Sequence, residues 1–172
     1  MAAATEESTQ RTPLYDLHVE LGGRMVPFAG YDMPLYYDLG VMKEHEWVRE
    51  KAGMFDVSHM GQALLEGKSS SCNLLLEKLT PSNFQEMPDG RAKYTHLLNV
   101  AGGIIDDVIV NKLDQRRFLI IFNGSRKEID FMWIKDNIEE MGLEDQISLK
   151  DLSKSLIAIQ GKGSAELIQS VI

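Results

Sequence analysis

The chain has 172 residues, 44% of them hydrophobic, and a formal net charge of -8 at pH 7. That length suits one soluble domain, and the acidic balance disfavours nucleic acid or an anionic membrane as a partner, because both attract basic surfaces. The single cysteine, Cys72, excludes an intrachain disulfide and argues against a zinc site built on thiolates, so no metal site is expected. No apolar run approaches the roughly 20 residues that span a bilayer.

The first third of the chain predicts short elements. TPLYDLHVELGG predicts a helix capped by Thr12, with Pro13 in its first turn. RMVPFAG and MPLYY predict two extended pieces, and GVMKEHEWVREKAG predicts a second helix with Gly53 as its C-cap. MFDVSHMGQALLEG predicts one continuous strand.

The remainder predicts strands interleaved with helices. SSSCNLLLEKLT predicts a serine-capped helix, and RAKYTHLLNV with IIDDVIV predicts a β-hairpin turning at Gly102 and Gly103, which need φ > 0. RRFLIIFN predicts a strand, and SRKEIDFMWIKDNIEEMG a helix with a Ser125–Glu128 capping box. DQISLKDLSKSLIAIQG predicts one or two strands. The fold class is therefore α+β, with mainly antiparallel sheets and flanking helices.

The two ends of the chain suggest its organisation. Residues 1–10 are expected to be a disordered lead-in, and residues 11–172 one domain. SAELIQSVI predicts a helix from Ser164 whose apolar face runs to the last residue without a polar exit. We therefore expect the domain to be truncated.

Two adjacent carboxylates, Asp106 and Asp107, interrupt the apolar run IIDDVIV. Neighbours on a strand point to opposite faces, so Asp106 should share a face with Ile104 and Val108. Asp107 should then lie on the opposite face. A carboxylate directed at apolar neighbours is paired or has a raised pKa, and both are common at reactive sites. The alternative is that Asp106 is a turn residue of the hairpin and Asp107 is solvated or ion-paired.

Two further stretches carry polar side chains of interest. In FDVSHMG we reject a nucleophilic triad of Asp56, Ser58 and His59, because strand neighbours face opposite ways. His59 is interpreted as structural, and Met60 as a core or pocket residue. Asn123 lies at a strand-to-helix junction, where ordinary helix capping does not account for it.

These stretches, in this order, resemble one family. TPLYDLHVELGGRMVPFAGYDMPLYY, AGMFDVSHMG, YTHLLNVAGGIIDDVIV and LIAIQGKGS are similar to the N-terminal half of the glycine cleavage system T-protein, an aminomethyltransferase. The resemblance runs from Arg11 to Ile172, and FDVSHM and GGIIDD are its most specific parts. One departure is Tyr31, where the family usually has Trp.

The resemblance implies an α+β folate-binding domain and a one-carbon transfer. The aminomethyl group on the lipoyl arm of the H-protein would pass to tetrahydrofolate, giving 5,10-methylenetetrahydrofolate and ammonia. Asp107 corresponds to the family's key carboxylate, with Asp106 as the runner-up, and Met60, Tyr94 and Asn123 match positions that line the folate pocket. The family's second half, which supplies a Glu and an Arg to the folate, is absent.

The resemblance leaves alternatives open. A non-catalytic folate-binding module related to iron–sulfur assembly factors is the second hypothesis, and a misfolding remnant is the third. The lead-in MAAATEESTQR does not resemble a typical presequence, since it has no apolar core and carries Glu6 and Glu7. The bacterial cytoplasm is the expected compartment, with the mitochondrial matrix as the alternative.

Overall fold

The computed structural model describes residues 9–68, 70–152 and 154–172. The described chain forms two compact units: a split unit, made of residues 9–59 and Ser155–Ile172, and a central unit, Met60–Lys154. Most of the expected lead-in lies outside the described residues, but Gln10 belongs to a strand. No helix in the described ranges is long and apolar enough to cross a membrane.

The split unit contains two small sheets and three helices. The strands of its sheets are β1 (Gln10–Arg11), β2 (Met25–Phe28), β3 (Tyr31–Pro34), β4 (Gly53–Asp56) and β10 (Ile157–Gln160), and its helices are α1 (Tyr15–Glu20), α2 (Gly40–Glu50) and α5 (Ser164–Gln169). One sheet has the order β1-β3-β2, and the other is the antiparallel pair β10-β4. The predicted extended pieces and the helix from Ser164 are confirmed.

The central unit is a five-stranded antiparallel sheet with two helices. Its elements are β5 (Gly61–Gly67), α3 (Ser71–Leu79), β6 (Arg91–Leu98), β7 (Ile104–Lys112), β8 (Arg117–Phe122), α4 (Lys127–Glu140) and β9 (Ile147–Asp151). The strand order is β6-β7-β8-β5-β9, and every pair in it is antiparallel. The predicted α+β class, with mainly antiparallel sheets, is confirmed.

The core of the central unit lies between one face of this sheet and the two helices. Leu75 and Leu76 of α3 and Ile134 of α4 are fully buried against Ala63 and Val110 of the sheet. Alternate residues of each strand enter this core, as expected for a sheet covered on one side. The opposite face of the sheet is therefore the one that can carry polar residues.

Several local predictions are wrong. The stretch MFDVSHMGQALLEG forms two strands, β4 and β5, which belong to different units. Thr12 does not cap α1: its N-cap is Leu14, and the Thr12 hydroxyl donates a hydrogen bond to Asp56 instead. The C-cap of α2 is Lys51 rather than Gly53.

Two predictions of helix capping in the central unit are also wrong. Helix α4 starts after Arg126 with no side-chain cap, so the predicted Ser125–Glu128 capping box is wrong. Ser70 at the start of α3 makes no side-chain capping bond either. The β6–β7 hairpin is confirmed, and Gly102 has φ +81°, but Gly103 does not adopt a positive φ, so that part of the prediction is wrong. Gly142, at φ +63°, follows the C-cap Met141 of α4.

Candidate functional site

The face of the central sheet opposite α3 and α4 carries Tyr94 and Asp107. Val108 is buried in the core, so Asp107 and Ile109 on either side of it point to the opposite face. Tyr94 pairs with Ile109, and His96 pairs with Asp107, so both aromatic side chains share that face. Their rings pack edge to face, 5.6 Å apart. A half-buried acid and an exposed phenol therefore lie side by side on this face.

Asp106 lies on the other face, toward the core. It is an interior residue of β7, so the alternative that it is a turn residue is wrong. Leu97 pairs with Asp106 and Leu98 with Ile104, which leaves Ile105 as an extra residue in a β-bulge. The predicted alternation fails there, because the Ile105 side chain packs against the core.

Asn123 and Arg126 hold this part of β7 from the β8–α4 junction. The Asn123 side-chain amide donates to both carboxylate oxygens of Asp106, at 3.2 Å each, and to the backbone oxygen of Asp107 at 3.1 Å. The Arg126 guanidinium donates to the backbone oxygen of Ile105 at 3.2 Å. One amide and one guanidinium thus fix the bulge and both acids. Asn123, which was predicted from the sequence, is thus hydrogen-bonded to both acids.

The acid changes the chemistry of the phenol beside it. A hydrogen-bonding interaction with Asp107 raises the pKa of Tyr94, and desolvation and the charges of Asp107 and Asp106 act in the same direction. Tyr94 therefore stays protonated at neutral pH and can donate. Asp107 is half-buried and can accept a proton or orient an N–H group.

Met60 directly precedes β5, at the end of the sheet where Asn123 follows β8. It is half-buried and directly precedes Gly61, which pairs with Phe122, the residue before Asn123. The four residues predicted as a folate site, Met60, Tyr94, Asp107 and Asn123, therefore come from β6, β7 and the adjacent ends of β5 and β8. Their role in binding remains a prediction.

Asp130 and Arg126 were not predicted as site residues. Asp130 lies four and eight residues before Ile134 and Ile138, which are buried, and its own side chain is completely buried. A carboxylate on the apolar stripe of a helix is a signal readable from the sequence. Arg126 offered no such signal, because a single basic residue before a helix does not indicate which group it contacts.

The FDVSHM segment of the split unit forms a different network. Asp56 accepts hydrogen bonds from the Thr12 hydroxyl at 2.6 Å, His18 Nε2 at 3.0 Å and the Ser58 backbone N–H at 2.9 Å. His18 Nδ1 is 2.7 Å from the Tyr37 hydroxyl. Ser58 Oγ is bonded to the backbone of Leu156. The imidazole that bonds to Asp56 is therefore that of His18, 38 residues away in the chain.

His59 packs against aromatic side chains. Its ring lies 5.5 Å from Phe28, edge to face, and 6.4 Å from Tyr31. These contacts agree with its interpretation as a structural residue. In the part of the chain that the structure describes, no three or more His, Cys, Asp or Glu side chains group as metal ligands.

A cavity of about 470 Å³ opens beside the His18–Asp56 pair. Its wall is mostly apolar and includes Leu17, Met33 and Trp47, with Glu44 and Tyr37 among its polar groups. The Glu44 carboxylate accepts from the Tyr37 backbone N–H at 2.6 Å. The polar groups of this cavity are therefore largely bonded to one another.

Comparison with known proteins places this geometry in a family. Residues 14–172 match the family described as the GCVT N-terminal domain. The chain belongs to that family.

Its named relatives are aminomethyltransferases. The chain is 43% identical over 162 residues to the aminomethyltransferase of Flavobacterium psychrophilum and 41% identical over 163 residues to that of Thermotoga sp. strain RQ2. The matches cover 94% and 95% of this chain, respectively, but 43% of each relative, so the chain spans less than half the length of these proteins.

A solved structure of an aminomethyltransferase also matches this chain. The chain superposes on the glycine cleavage system aminomethyltransferase T of Bartonella henselae with a TM-score of 0.87 and 33% identity. The superposition covers 95% of this chain and 44% of that one.

Proposed function

We propose that this chain is the tetrahydrofolate-binding part of an aminomethyltransferase of the glycine cleavage system. The observation that carries the proposal is the convergence of Asp107, Tyr94 and Asn123 on one end of one sheet, in a member of this family. The donor would be the aminomethyl group on the lipoyl arm of the H-protein, and the acceptor tetrahydrofolate. The relatives are bacterial, which favours the bacterial cytoplasm over the mitochondrial matrix.

The site has groups that suit a flat heterocycle bearing N–H groups. Tyr94 offers an aromatic surface, with 63% of the residue exposed, and Ile109 an apolar one, with 38% exposed. Asp107 between them can accept a hydrogen bond from a ring N–H. These features support folate as the ligand of this surface.

The transfer needs positioning and proton movement. Two C–N bonds form at the folate nitrogens while the C–S and C–N bonds of the aminomethyl group break. The two folate N–H protons leave with the thiol and with ammonia. In this proposal Asp107 orients the attacking nitrogen and accepts its proton, which is the kind of general-base assistance typically worth about 100-fold or more. Asn123 fixes the backbone that carries Asp107.

The test uses a chimera, because the relatives are more than twice as long as this chain. The matched part of the Flavobacterium psychrophilum enzyme is replaced by this chain, and ammonia and methylenetetrahydrofolate are measured with aminomethylated H-protein. We expect turnover that falls about 100-fold or more in Asp107→Asn. Asp136→Asn, on the exposed side of α4, is the matched control and should keep full activity.

The outcomes separate the hypotheses. A folded chimera that binds tetrahydrofolate without releasing ammonia would favour the non-catalytic folate-binding module. Equal turnover in Asp107→Asn and in the parent would contradict the assigned role of Asp107.

A further inference from the structure

His96 is a half-buried ring beside the proposed site, and the proposed transfer gives it no task. It lies on β6, two residues after Tyr94, and the residues on either side of it, Thr95 and Leu97, are buried with exposures of 3% and 1%. Because successive residues of a strand point to opposite faces, His96 and Tyr94 lie together on the face that carries Asp107.

The imidazole has both the phenol and the acid as neighbours. Asp107 is the cross-strand partner of His96, and Ile109 is the partner of Tyr94. Directly paired side chains have Cβ atoms about 4.5–5.5 Å apart, and diagonal neighbours such as Tyr94 and Asp107 remain within reach of an aromatic side chain. His96 therefore lies next to Tyr94 along its own strand and next to Asp107 across the sheet.

The contact between the two rings has a defined geometry. Their centroids are 5.6 Å apart and their planes meet at 75°. Aromatic pairs prefer this arrangement, because the positive edge of one ring faces the negative face of the other. Such a contact favours the packed orientation of a ring by roughly two- to tenfold over an orientation without it. Tyr94 therefore has a preferred orientation before any ligand binds.

Tyr94 needs this support because it lies on an edge strand. In the described sheet β6 comes first in the strand order and pairs with β7 on one side. The residue is 63% exposed. A side chain in that position samples several rotamers unless a contact holds it, and ordering it on binding costs affinity. The ring of His96 supplies such a contact in the free protein.

We propose that His96 is a positioning residue: its ring holds the ring of Tyr94 in the orientation that forms an aromatic surface next to Asp107. His96 acts through Tyr94 and not on the reacting atoms. Its importance for ligand binding rests on the proposed function, because that function assigns folate to this surface. The orientation of Tyr94 itself can be tested without any ligand.

The first experiment follows the Tyr94 side chain of this chain by NMR, through the three-bond couplings that report its χ1 rotamer. We expect one dominant rotamer in the parent and in His96→Phe, which keeps a ring, and averaging over rotamers in His96→Ala. His45→Ala, which removes an exposed histidine on α2, is the matched control and should leave the Tyr94 couplings unchanged. Averaged couplings in the parent, or a fixed rotamer in His96→Ala, would overturn the proposal.

The second experiment measures tetrahydrofolate binding by calorimetry, and kcat and KM, in the chimera described above. His96→Ala should weaken binding and raise KM by roughly three- to tenfold, because a smaller fraction of the protein has Tyr94 in the binding orientation. The value of kcat should change by less than about twofold, since the bound ligand itself then holds Tyr94 in place.

Two further variants separate the ring of His96 from its nitrogen atoms. His96→Phe should bind tetrahydrofolate like the parent, and His96→Gln, which keeps polar atoms but no ring, should bind it like His96→Ala. The reverse result, with Gln restoring binding and Phe failing to do so, would show that a hydrogen bond from the imidazole matters and would overturn the ring contact as the cause.

The two proposals fail in different ways. A folded parent chimera that neither binds tetrahydrofolate nor turns over contradicts the proposed function, and the NMR couplings still decide whether His96 orients Tyr94. A parent that turns over, with an unchanged KM in His96→Ala, contradicts the positioning role alone.

Discussion

Asp56 offers the sharpest test of what holds the split unit together. We consider Asp56→Asn, which keeps the shape of the side chain and removes its charge. Oδ1 can still accept from the Ser58 backbone, but the new amide nitrogen replaces the oxygen that accepts from Thr12 and His18. A hydrogen bond to a charged group contributes about 1.5–3 kcal/mol, and reorientation of Thr12 and His18 recovers part of the two that are lost. We therefore expect a loss of about 2–4 kcal/mol at pH 7, a large share of a typical free energy of unfolding.

The same residue predicts a pH dependence. Burial raises the pKa of Asp56, but hydrogen bonds from Ser58, Thr12 and His18 outweigh it, so the net pKa is lowered. A lowered carboxyl pKa stabilises the folded state above the unfolded value of about 3.9, and the contribution disappears as the pH falls through the folded pKa. The difference between parent and variant should therefore shrink below about pH 4.

The assay is urea unfolding followed by the fluorescence of Trp47, which lies in the split unit. The other tryptophan, Trp133, is replaced by Phe in every protein compared. Asp16→Asn is the control, because Asp16 is exposed on α1 and its change should cost less than about 0.5 kcal/mol. A variant within about 0.5 kcal/mol of the parent at pH 7, or a difference that persists undiminished below about pH 4, would refute the reasoning.

Three further predictions concern the central unit. Because burial raises the pKa of Asp130 to about 7, its contribution to stability is full below about pH 4 and is lost as the pH rises through about 7. Asp130→Asn should therefore be more stable than the parent at pH 8 by about 2–4 kcal/mol and equal to it near pH 4 in urea titrations; equal stability at both pH values would contradict this. Burial raises the pKa of Cys72 to about 12, so the native thiol should not react with a disulfide reagent at pH 8 until urea unfolds the chain, and rapid labelling would show the burial to be wrong. Gly102→Ala, at φ +81°, should lower the unfolding midpoint by an amount worth about 1 kcal/mol. An unchanged midpoint would mean that the turn readily adopts another conformation.

The parts of the fold that follow from local pattern were predictable. The β6–β7 hairpin has turn glycines between the stretch RAKYTHLLNV and the β-branched run IIDDVIV, and Gly102 adopts the positive φ that its position indicates. The opposed faces of Asp106 and Asp107 follow from strand geometry, as the burial of Val108 shows. These features depend only on residues close together in the sequence.

The features that depend on distant residues were not predictable. MFDVSHMGQALLEG divides into two strands because Met54 pairs with Ile159 while Ala63 pairs with Ile120, and the pattern of one segment does not contain its partners. Thr12 leaves the end of α1 because Asp56, 44 residues away, offers a charged acceptor. The bulge at Ile105 likewise depends on the register with Leu97 and Leu98.

The pairing of β4 with β10 has a consequence for synthesis on the ribosome. Asp56 lies opposite Ile157, so about 100 residues are made between the two strands, and these include the whole central unit. At roughly 5–20 residues per second, β4 waits about 5–20 s for its partner. Met54 and Phe55 of β4 therefore have no partner strand until β10 has been made. During translation β4 is therefore among the last strands of this chain to be paired.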